Sequence, residues 1–465
     1  MKQLSPLTIA LLLATPAAAQ RTAAPTPAAV DPQVAALRDA ALKDDSAYDI
    51  VEGLTTEVGQ RLAGTEAEAR ARDWAVKKLT ALGFSNVRAE SYKMPVWVRG
   101  DETAEIIAPV PQKLTLVALG NSASTGSRGL TGELVVFPSY IEFANAPAAA
   151  ISGRIVYIGN SMQPTQDGSS YGSSGPARFT GPALASQKGA AAIVIRSIGT
   201  DTHRLPHTGV TTFPAGVKPI PAAALSTPDA ALIERLAKRG QPIRLKLLLT
   251  PKMIGERESG NVIAEVPGTD PAAGVVLVGG HLDSWDLGTG AIDDASGVAI
   301  TAAAAKRILD SGQRPRRTIR VVWFGAEEVG GFGGEDYARR HGNERHATAS
   351  ESDFGADRIW RFETQFPDSA VAITGRLSSA LAPLGIVAGS GRGGDGTDIA
   401  PTIAMGVAGV DLNQSGLRYF ETHHTPDDVL ERIDPEQLRQ NVAAWTTMLA
   451  IVANAPEEIG PVARP

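Results

Sequence analysis

The sequence contains no cysteine, and this absence removes several kinds of chemistry at once. We expect no disulfide bonds, no thiol catalysis, no cysteine-based structural zinc and no lipid anchor on a cysteine. Any bound metal must be held by histidine and carboxylate side chains. Aromatic residues are also few, at 5%, but hydrophobic residues make up 43% of the 465, which suffices for two or three domains with full-sized cores.

Strong positive charge and long apolar runs are lacking as well. The formal net charge is -6 at pH 7, which argues against a nucleic-acid partner. After the amino-terminal segment no stretch approaches the ~18 uninterrupted apolar residues that a membrane span needs. We therefore expect a soluble mature protein with no membrane anchor, and the sequence leaves open whether it forms a homodimer.

The first nineteen residues predict a signal peptide. Lys2 supplies a positive charge, residues 7–14 are apolar but too short to span a bilayer, and Ala17, Ala18 and Ala19 form a small-residue cleavage site. The pattern indicates an exported protein, periplasmic or secreted. Residues 20–31 are rich in alanine, proline and threonine and predict a disordered linker.

The most informative stretch runs from Val275 to Gly297, where an apolar run ends in a cluster of acids, glycines and one histidine. Its first residues, Val275–Val278, predict a strand buried on both faces, because a parallel strand covered by helices shows continuous hydrophobicity. His281 and Asp283 follow at its carboxyl end. Ligands in open α/β sheets bind at that end.

Strands that alternate with helices predict a three-layer α/β/α domain whose mixed sheet is parallel at its centre. A second doubly buried strand is expected at Thr318–Phe324 and another strand at Val407–Leu412. Long helices are expected at about Ser296–Ser311 and Asp434–Ala453.

Residues 125–253 have a different texture, with short β-rich pieces between loops of glycine, serine and proline. The α/β pattern resumes only after Pro251. We therefore expect a β-rich domain at 125–253 that is inserted between the two parts of the larger domain, 32–124 and 254–465.

Acids and histidines recur just after the predicted strands of the larger domain. They are His281, Asp283, Asp293, Glu327, Glu328, Asp353 and His424. Imidazoles and carboxylates without sulfur suit zinc, and a carboxylate able to bridge two ions suits a paired site. Each residue alone has an ordinary alternative, since Asp293 could cap the next helix and His424 could be a loop histidine. Their shared position at strand ends favours a metal site.

Six short motifs carry a resemblance to a known family. They are GQRLAGT, NVIAEVPG, GGHLDSWDLGTGAIDDASGV, WFGAEEVG, ESDFG and HHTPDD, in this order. With them the chain resembles the co-catalytic di-zinc exopeptidases, which include bacterial leucyl aminopeptidases and glutamate carboxypeptidase. A narrower likeness to the plasma glutamate carboxypeptidases rests on HLDSWD, RSIGTDTHRLPHTGV and GDGTDI. Segment 125–253 resembles a protease-associated domain.

This resemblance implies a peptidase that binds two zinc ions per chain. His281 and Asp353 would bind one ion, and Glu328 and His424 would bind the other. Asp293 would bridge the two ions.

The resemblance also implies roles in catalysis and support. Glu327 would be the general base, and Asp283 would hold the imidazole of His281 in the right tautomer. A cis peptide bond would join Asp293 and Asp294. The family often has Asp-Thr after its last histidine, and here only the acid is kept, as Asp428, which concerns support of the site.

The substrate implied is a dipeptide or short peptide with a free carboxyl end, and an aminopeptidase of the same family is the alternative. A terminal carboxylate is bound best by a guanidinium group. The candidates are Arg204, Arg392 and Arg418, and His207 is a further candidate on the substrate side. His423 is expected to pack.

Two other kinds of protein compete with this interpretation. A serine hydrolase is suggested by G-x-S-x-G at Gly168–Gly172, but the match lies in a loop and lacks the strand and helix of a nucleophile elbow. A peptidase-fold binding protein without activity is the alternative from another class. All five ligand positions and the base are present, so metal content would separate an active peptidase from an inactive binding protein.

The two remaining histidines of the larger domain, His341 and His346, are expected to be solvated.

Overall fold

The computed structural model describes residues 29–462, so the predicted signal peptide and most of the predicted linker lie outside the described residues. The described strands are β1 Ser85–Val98, β2 Glu102–Ala108, β3 Gln112–Leu114, β4 Leu116–Ala118, β5 Leu130–Phe137, β6 Ile155–Ile158, β7 Ala192–Arg196, β8 Ala222–Leu225, β9 Arg244–Leu249, β10 Lys252–Val266, β11 Val275–His281, β12 Thr318–Phe324, β13 His346–Glu351, β14 Ile359–Gln365, β15 Val387–Ala388 and β16 Ala408–Gln414.

The α-helices connect these strands and cover the sheets. They are α1 Pro32–Ala41, α2 Ser46–Gly53, α3 Glu66–Ala81, α4 Tyr140–Asn145, α5 Ser169–Ser174, α6 Pro176–Phe179, α7 Gly181–Gln187, α8 Thr227–Ala237, α9 Ser296–Asp310, α10 Phe332–His341, α11 Ala372–Leu381, α12 Ala400–Ile403, α13 Tyr419–Thr422 and α14 Pro435–Asn454. Within the described part of the chain, every helix is too short or too polar to cross a bilayer.

The first sheet has the strand order β1-β10-β12-β11-β13-β16-β14-β15. Its centre is parallel, because β11 pairs in parallel with both β12 and β13, and β13 pairs in parallel with β16. Antiparallel strands flank this centre, with β10 on one side and β14 on the other. The predicted mixed, centrally parallel sheet is thus confirmed.

Strand β12 shows how this sheet separates two helical layers. Val321 and Trp323 pack into the large core that contains α9 and α14, whereas Val322 and Phe324 pack on the other face with Tyr337 of α10. Alternate side chains of a strand point to opposite faces, and both faces of β12 are covered. The predicted three-layer α/β/α arrangement follows.

Helix boundaries agree with the capping signals in the sequence. Thr65 caps α3, since its hydroxyl accepts a hydrogen bond from the Glu68 N–H, and Asp434 caps α14 by accepting from two N–H groups of the first turn. His341 and His346, expected in solvent, are instead buried. His341, the last residue of α10, lies 2.9 Å from a carboxylate oxygen of Glu90 in β1.

The second sheet, with the order β3-β2-β9-β5-β6-β7-β8-β4, corrects the predicted domain boundary. Strand β2 forms an antiparallel ladder with β9, so this sheet begins at Glu102 and not at residue 125. Nothing local in residues 102–118 could reveal this, because their partner strand β9 lies far along the chain. We call residues 102–249 the second-sheet segment.

Candidate metal centre

Three neighbouring parallel strands end at one edge of the first sheet and deliver three of the predicted site residues. His281 is the last residue of β11, Glu328 follows β12, and Asp353 follows β13. Asp293 comes from the turn before α9, and His424 follows α13. Parallel strands present their carboxyl ends at the same end of the sheet, so the topology gathers His281, Glu328 and Asp353, and the two other segments add Asp293 and His424.

The five side chains form two groups that share Asp293. His281 Nε2 lies 3.0 Å from Asp293 Oδ1 and 3.4 Å from Asp353 Oδ1. His424 Nε2 lies 3.1 Å from Asp293 Oδ2 and 3.0 Å from Glu328 Oε2. Each oxygen of Asp293 therefore faces a different imidazole, which is the arrangement required of a bridging carboxylate.

The donor set fits two divalent cations. Buried carboxylate oxygens need partners, yet among the described residues Glu328 Oε1 and Asp353 Oδ1 have no hydrogen-bond partner. Burial, together with the negative charge of Asp293, raises the pKa of Glu328 to about 7. Burial also raises the pKa of Asp353. Bound cations would supply the missing partners and reverse these shifts.

Asp283 supports two parts of the site. Its carbonyl oxygen lies 3.0 Å from His281 Nδ1, while its carboxylate Oδ1 is more distant from that nitrogen, at 3.7 Å. The same Oδ1 accepts the main-chain N–H of Glu327 at 3.1 Å. Asp283 thus orients His281 mainly through its backbone, and its side chain holds the turn that carries Glu327.

The adjacent Glu327 and Glu328 point to different places. The preceding Ala326 has a φ of 59°, a left-handed conformation that makes the turn after β12 sharp. Within the described residues, Glu328 contacts an imidazole of the site, whereas the Glu327 side chain contacts neither His281 nor His424 and lines the adjacent cavity. Burial raises the pKa of Glu327 well above its usual range.

The turn that carries Asp293 is fixed by its neighbours. The peptide bond between Asp293 and Asp294 is cis, as the resemblance implied. Asp294 accepts the N–H groups of His281 and Gly297 at 3.0 and 2.9 Å, which ties the end of β11 to the start of α9. Asp428 accepts the Ile292 N–H at 2.7 Å, so the retained acid supports the turn.

His423 lies closer to the centre than the sequence suggested. Its ring stacks on that of His424 with a centroid distance of 3.5 Å, and it packs among Tyr419 and Phe420, as expected. Its Nε2 also lies 3.5 Å from Asp293 Oδ2. Asp293, His423 and His424 form one of the groups able to hold a metal ion.

His207 does not have the substrate-side position considered for it. Its side chain is fully buried, with Nδ1 2.6 Å from the carbonyl oxygen of His423 and Nε2 2.7 Å from Asp201 Oδ2. His207 was singled out because it lies in RSIGTDTHRLPHTGV, one of the stretches that carry the narrower family resemblance. Its role is to contact the chain next to His424.

A cavity of about 620 Å³ opens onto the candidate metal centre. The second-sheet segment supplies one wall of it, made of Asp167, Tyr171, Arg178, Phe179, Val210 and Thr212. Glu327 and Glu328 line it together with Asp293, Asp353 and His424. The two sheets therefore share one pocket.

The three arginines expected near the substrate lie elsewhere. Arg418 is paired with Asp357, Arg204 is paired with Asp229, and Arg392 is exposed and absent from the cavity lining. The arginines that line the cavity are Arg178 and Arg361. Arg178 could not be identified from the sequence, because the order of residues does not show which side of the second-sheet segment faces the candidate metal centre.

The serine-hydrolase alternative gains no support from the structure. Ser170, the serine of the G-x-S-x-G match, lies in the short helix α5, and its hydroxyl accepts the Gln163 N–H at 3.0 Å. The nearest preceding strand of the described chain, β6, ends at Ile158. A nucleophile elbow requires a strand directly before the serine.

Known proteins resemble this chain over most of its length. The sequence profile of peptidase family M28 matches residues 261–449, a span that includes all five candidate ligands. Carboxypeptidase Q from Bos taurus is 34% identical over 412 residues, covering 88% of this chain and 86% of that protein. The human carboxypeptidase Q is 33% identical over the same shares.

Solved structures point the same way. A peptidase M28 precursor from Shewanella amazonensis superimposes with a TM-score of 0.90 and 44% identity, covering 93% of this chain and 98% of that one. A zinc aminopeptidase from Bacillus subtilis, at 20% identity and a TM-score of 0.65 over 90% of this chain and 98% of its own, shares the fold. These relatives show that the chain belongs to peptidase family M28 and is a metallopeptidase.

Proposed function

We propose that the protein is an exported two-zinc exopeptidase that hydrolyses dipeptides or short peptides with a free carboxyl end. The main observation in support is the position of the Asp293 carboxylate, because one of its oxygens faces His281 and the other faces His424. Asp353 would complete the first zinc site and Glu328 the second. A mononuclear site or an inactive scaffold would not need a carboxylate shared in this way.

The chain supplies a base beside this ligand set. Two zinc ions held here would provide an acidified water and a Lewis acid for the scissile carbonyl. Glu327 would accept the proton of the attacking water and pass it to the leaving amine, as a general base and then a general acid. Asp283 would keep Glu327 in place by accepting its N–H.

Arg178 supports recognition of a carboxyl end. Only 2% of its surface is exposed, and its guanidinium lies over the rings of Phe179 and Tyr171, at 4.4 and 5.3 Å from their centroids. Its Nη atoms donate to the Thr208 carbonyl oxygen and the Tyr171 hydroxyl, but among the described residues no carboxylate pairs with it, and its Nε has no hydrogen-bond partner. A buried cation without a counter-charge, in a cavity otherwise rich in acids, suits a substrate carboxylate.

The absence of a side chain at Gly209 leaves space for the guanidinium group of Arg178. A Cβ atom at Gly209 would come 2.5 Å from the guanidinium carbon of Arg178, so only glycine leaves this space. Arg361, the other arginine of the cavity, already bonds to Asn413 and lies 3.6 Å from a Glu363 carboxylate oxygen. Arg178 is therefore the better reader of a terminal carboxylate.

An aminopeptidase is the second candidate, because aminopeptidases are among the relatives. Aminopeptidase YwaD from Bacillus subtilis is 24% identical over 432 residues. The higher identity to carboxypeptidase Q favours recognition of the carboxyl end, as does Arg178, which has no carboxylate partner among the described residues. Export is proposed because the first nineteen residues have the pattern of a signal peptide. Sequencing the amino terminus of protein recovered outside the cytoplasm would test it.

Three measurements test the proposal. Elemental analysis of zinc-saturated protein should give two zinc ions per chain, and a strong chelator should abolish peptidase activity. A panel of free, carboxyl-amidated and amino-blocked dipeptides should show that amidation abolishes turnover. A single zinc ion would refute the paired site, activity without metal would refute the mechanism, and loss only on amino-blocking would identify an aminopeptidase.

A further inference from the structure

We propose that the second-sheet segment positions the candidate zinc ligand His424, through Thr208 and through a buried pair formed by Asp201 and His207. The inference rests on the proposed function in that it takes His424 as a zinc ligand. It assigns to this segment a role in metal affinity, in addition to forming a wall of the cavity.

The imidazole of His424 is oriented by a main-chain group of the second-sheet segment. Its Nδ1 lies 3.1 Å from the carbonyl oxygen of Thr208, and the Thr208 N–H donates to the carbonyl oxygen of His424 at 3.1 Å. When Nδ1 donates to a carbonyl, Nε2 is left as the atom free to bind a metal. That Nε2 is the atom that faces Asp293 and Glu328.

A buried contact between His207 and Asp201 holds the residue next to His424. His207 Nδ1 faces the carbonyl oxygen of His423 at 2.6 Å, and Nε2 faces Asp201 Oδ2 at 2.7 Å. Both ring nitrogens therefore face oxygen atoms, one from the main chain beside His424 and one from a buried carboxylate. A Cβ atom at Gly199 would lie 2.1 Å from His207 Nε2, so the loop is shaped closely around this ring.

Thr208 is itself anchored from the opposite side. Its hydroxyl donates to the carbonyl oxygen of Ala118 at 2.9 Å and accepts from Arg99 Nη2 at 3.1 Å. The same Arg99 makes two hydrogen bonds of 2.8 Å to the carboxylate of Asp286, in the loop that follows β11. The carbonyl that orients His424 is thus fixed to both sheets.

The backbone of His424 needs such support. Its φ of 61° is left-handed, a conformation that a non-glycine residue keeps only when its surroundings hold it. The other imidazole of the site is oriented differently, since His281 Nδ1 lies 3.0 Å from the carbonyl oxygen of Asp283 in its own sheet. Weakening the second-sheet contacts should therefore affect the His424 zinc site and spare the His281 site.

The test compares His207→Phe with His203→Phe. The first change removes both hydrogen bonds from a buried ring, and the second makes the same replacement at an exposed histidine of the same loop. Zinc affinity, measured by competition with a chromophoric chelator and no substrate, should fall about 10- to 100-fold at one of the two sites in His207→Phe. His203→Phe should bind both ions as the wild type does.

Two backgrounds assign the weakened site. In His281→Ala the remaining zinc depends on His424, and adding His207→Phe should weaken it further. In Glu328→Ala the remaining zinc depends on His281, and the same addition should leave its affinity unchanged. Asp201→Asn, which keeps an acceptor beside His207 but removes its charge, should give a smaller loss in the same pattern and serves if His207→Phe does not fold.

The outcomes separate this inference from the proposed function. If wild-type protein binds fewer than two zinc ions, the paired-site function fails. If wild-type protein binds two and the variants keep both affinities, or lose both equally, the positioning role is overturned. Selective loss at the His424 site supports it, because a general loss of stability would not distinguish the two sites.

Discussion

The main-chain N–H of Glu327 donates a hydrogen bond of 3.1 Å to the carboxylate of Asp283. This contact joins the residues that follow two adjacent parallel strands, β11 and β12. It holds the turn from which the two glutamate side chains point in different directions. Glu327 lines the cavity, and Glu328 contacts His424. The roles of these two glutamates can therefore be separated by mutation.

Glu327→Gln should bind two zinc ions and lose turnover by a factor of ~10² to 10⁴, the usual contribution of a general base. Glu328→Ala should lose zinc from one site, because it removes a ligand. Zinc content and kcat measured on the same preparations check both expectations, and each variant controls for the other. The opposite pattern would mean that the two roles are exchanged.

Arg178→Gln should lower kcat/KM for a free dipeptide by about 10²-fold, mainly through KM, because a buried charge pair with the substrate is lost. The carboxyl-amidated dipeptide should be affected little. Arg178→Lys should fall between, since lysine keeps the charge without the planar fork. Arg418→Gln, a change at an arginine outside the cavity, is the control, and an equal loss on both substrates would contradict carboxylate recognition.

Arg61→Met should destabilise the fold by at least about 3 kcal/mol, since several carbonyl groups would lose their donor. The Arg61 side chain is fully buried and donates to the carbonyl oxygens of Leu282, Thr289 and Gly290 at 2.5, 2.5 and 2.9 Å. Urea unfolding measures the change. Arg257→Met, at an exposed site, should stay within about 0.5 kcal/mol of wild type.

Glu68 should make stability depend on pH. Burial raises its pKa from 4.5 to about 7, even though Arg72 lies 2.9 Å away. Because the folded pKa is the higher one, the stabilisation by neutral Glu68 is complete below about pH 4.5 and is lost as the pH rises through about 7.

Glu68→Gln mimics the neutral acid and should remove this dependence. Relative to wild type, the variant should gain about 3 kcal/mol between pH 4 and pH 8, from about 1.4 kcal/mol for each unit of pKa shift. Urea unfolding at the two pH values measures the difference. Glu66→Gln, an exposed site on the same helix, should show no such gain, and a parallel response of both variants would contradict the assignment.

Much of the first sheet could be predicted from the sequence. Val275–Val278 and Thr318–Phe324 are continuous apolar runs, and such runs form strands that are buried on both faces. The predicted strand Thr318–Phe324 has the bounds of β12, and the predicted helix at Ser296–Ser311 differs from α9 by one residue. The candidate ligands His281 and Asp353 could be placed from the sequence too, because they lie at the ends of strands whose carboxyl ends meet.

The boundary of the second sheet could not be predicted in the same way. Residues 102–118 contain short strands whose partner, β9, begins only at Arg244. A short strand shows its own β propensity but not the strand with which it pairs. The sequence therefore placed these residues in the wrong sheet.

Local pattern alone determined the residue types of the candidate metal centre and placed His281, Glu328 and Asp353 at strand ends, because hydrophobic runs and the polar residues that follow them lie close together in the chain. The sequence also placed His424 after a strand, whereas it follows the short helix α13. Only the tertiary structure brought Arg178 to the cavity and the Thr208 carbonyl to His424. These contacts join residues from two sheets, and their geometry depends on how the sheets pack. No property of the residues around Thr208 encodes its distance to His424, a side chain more than two hundred positions away.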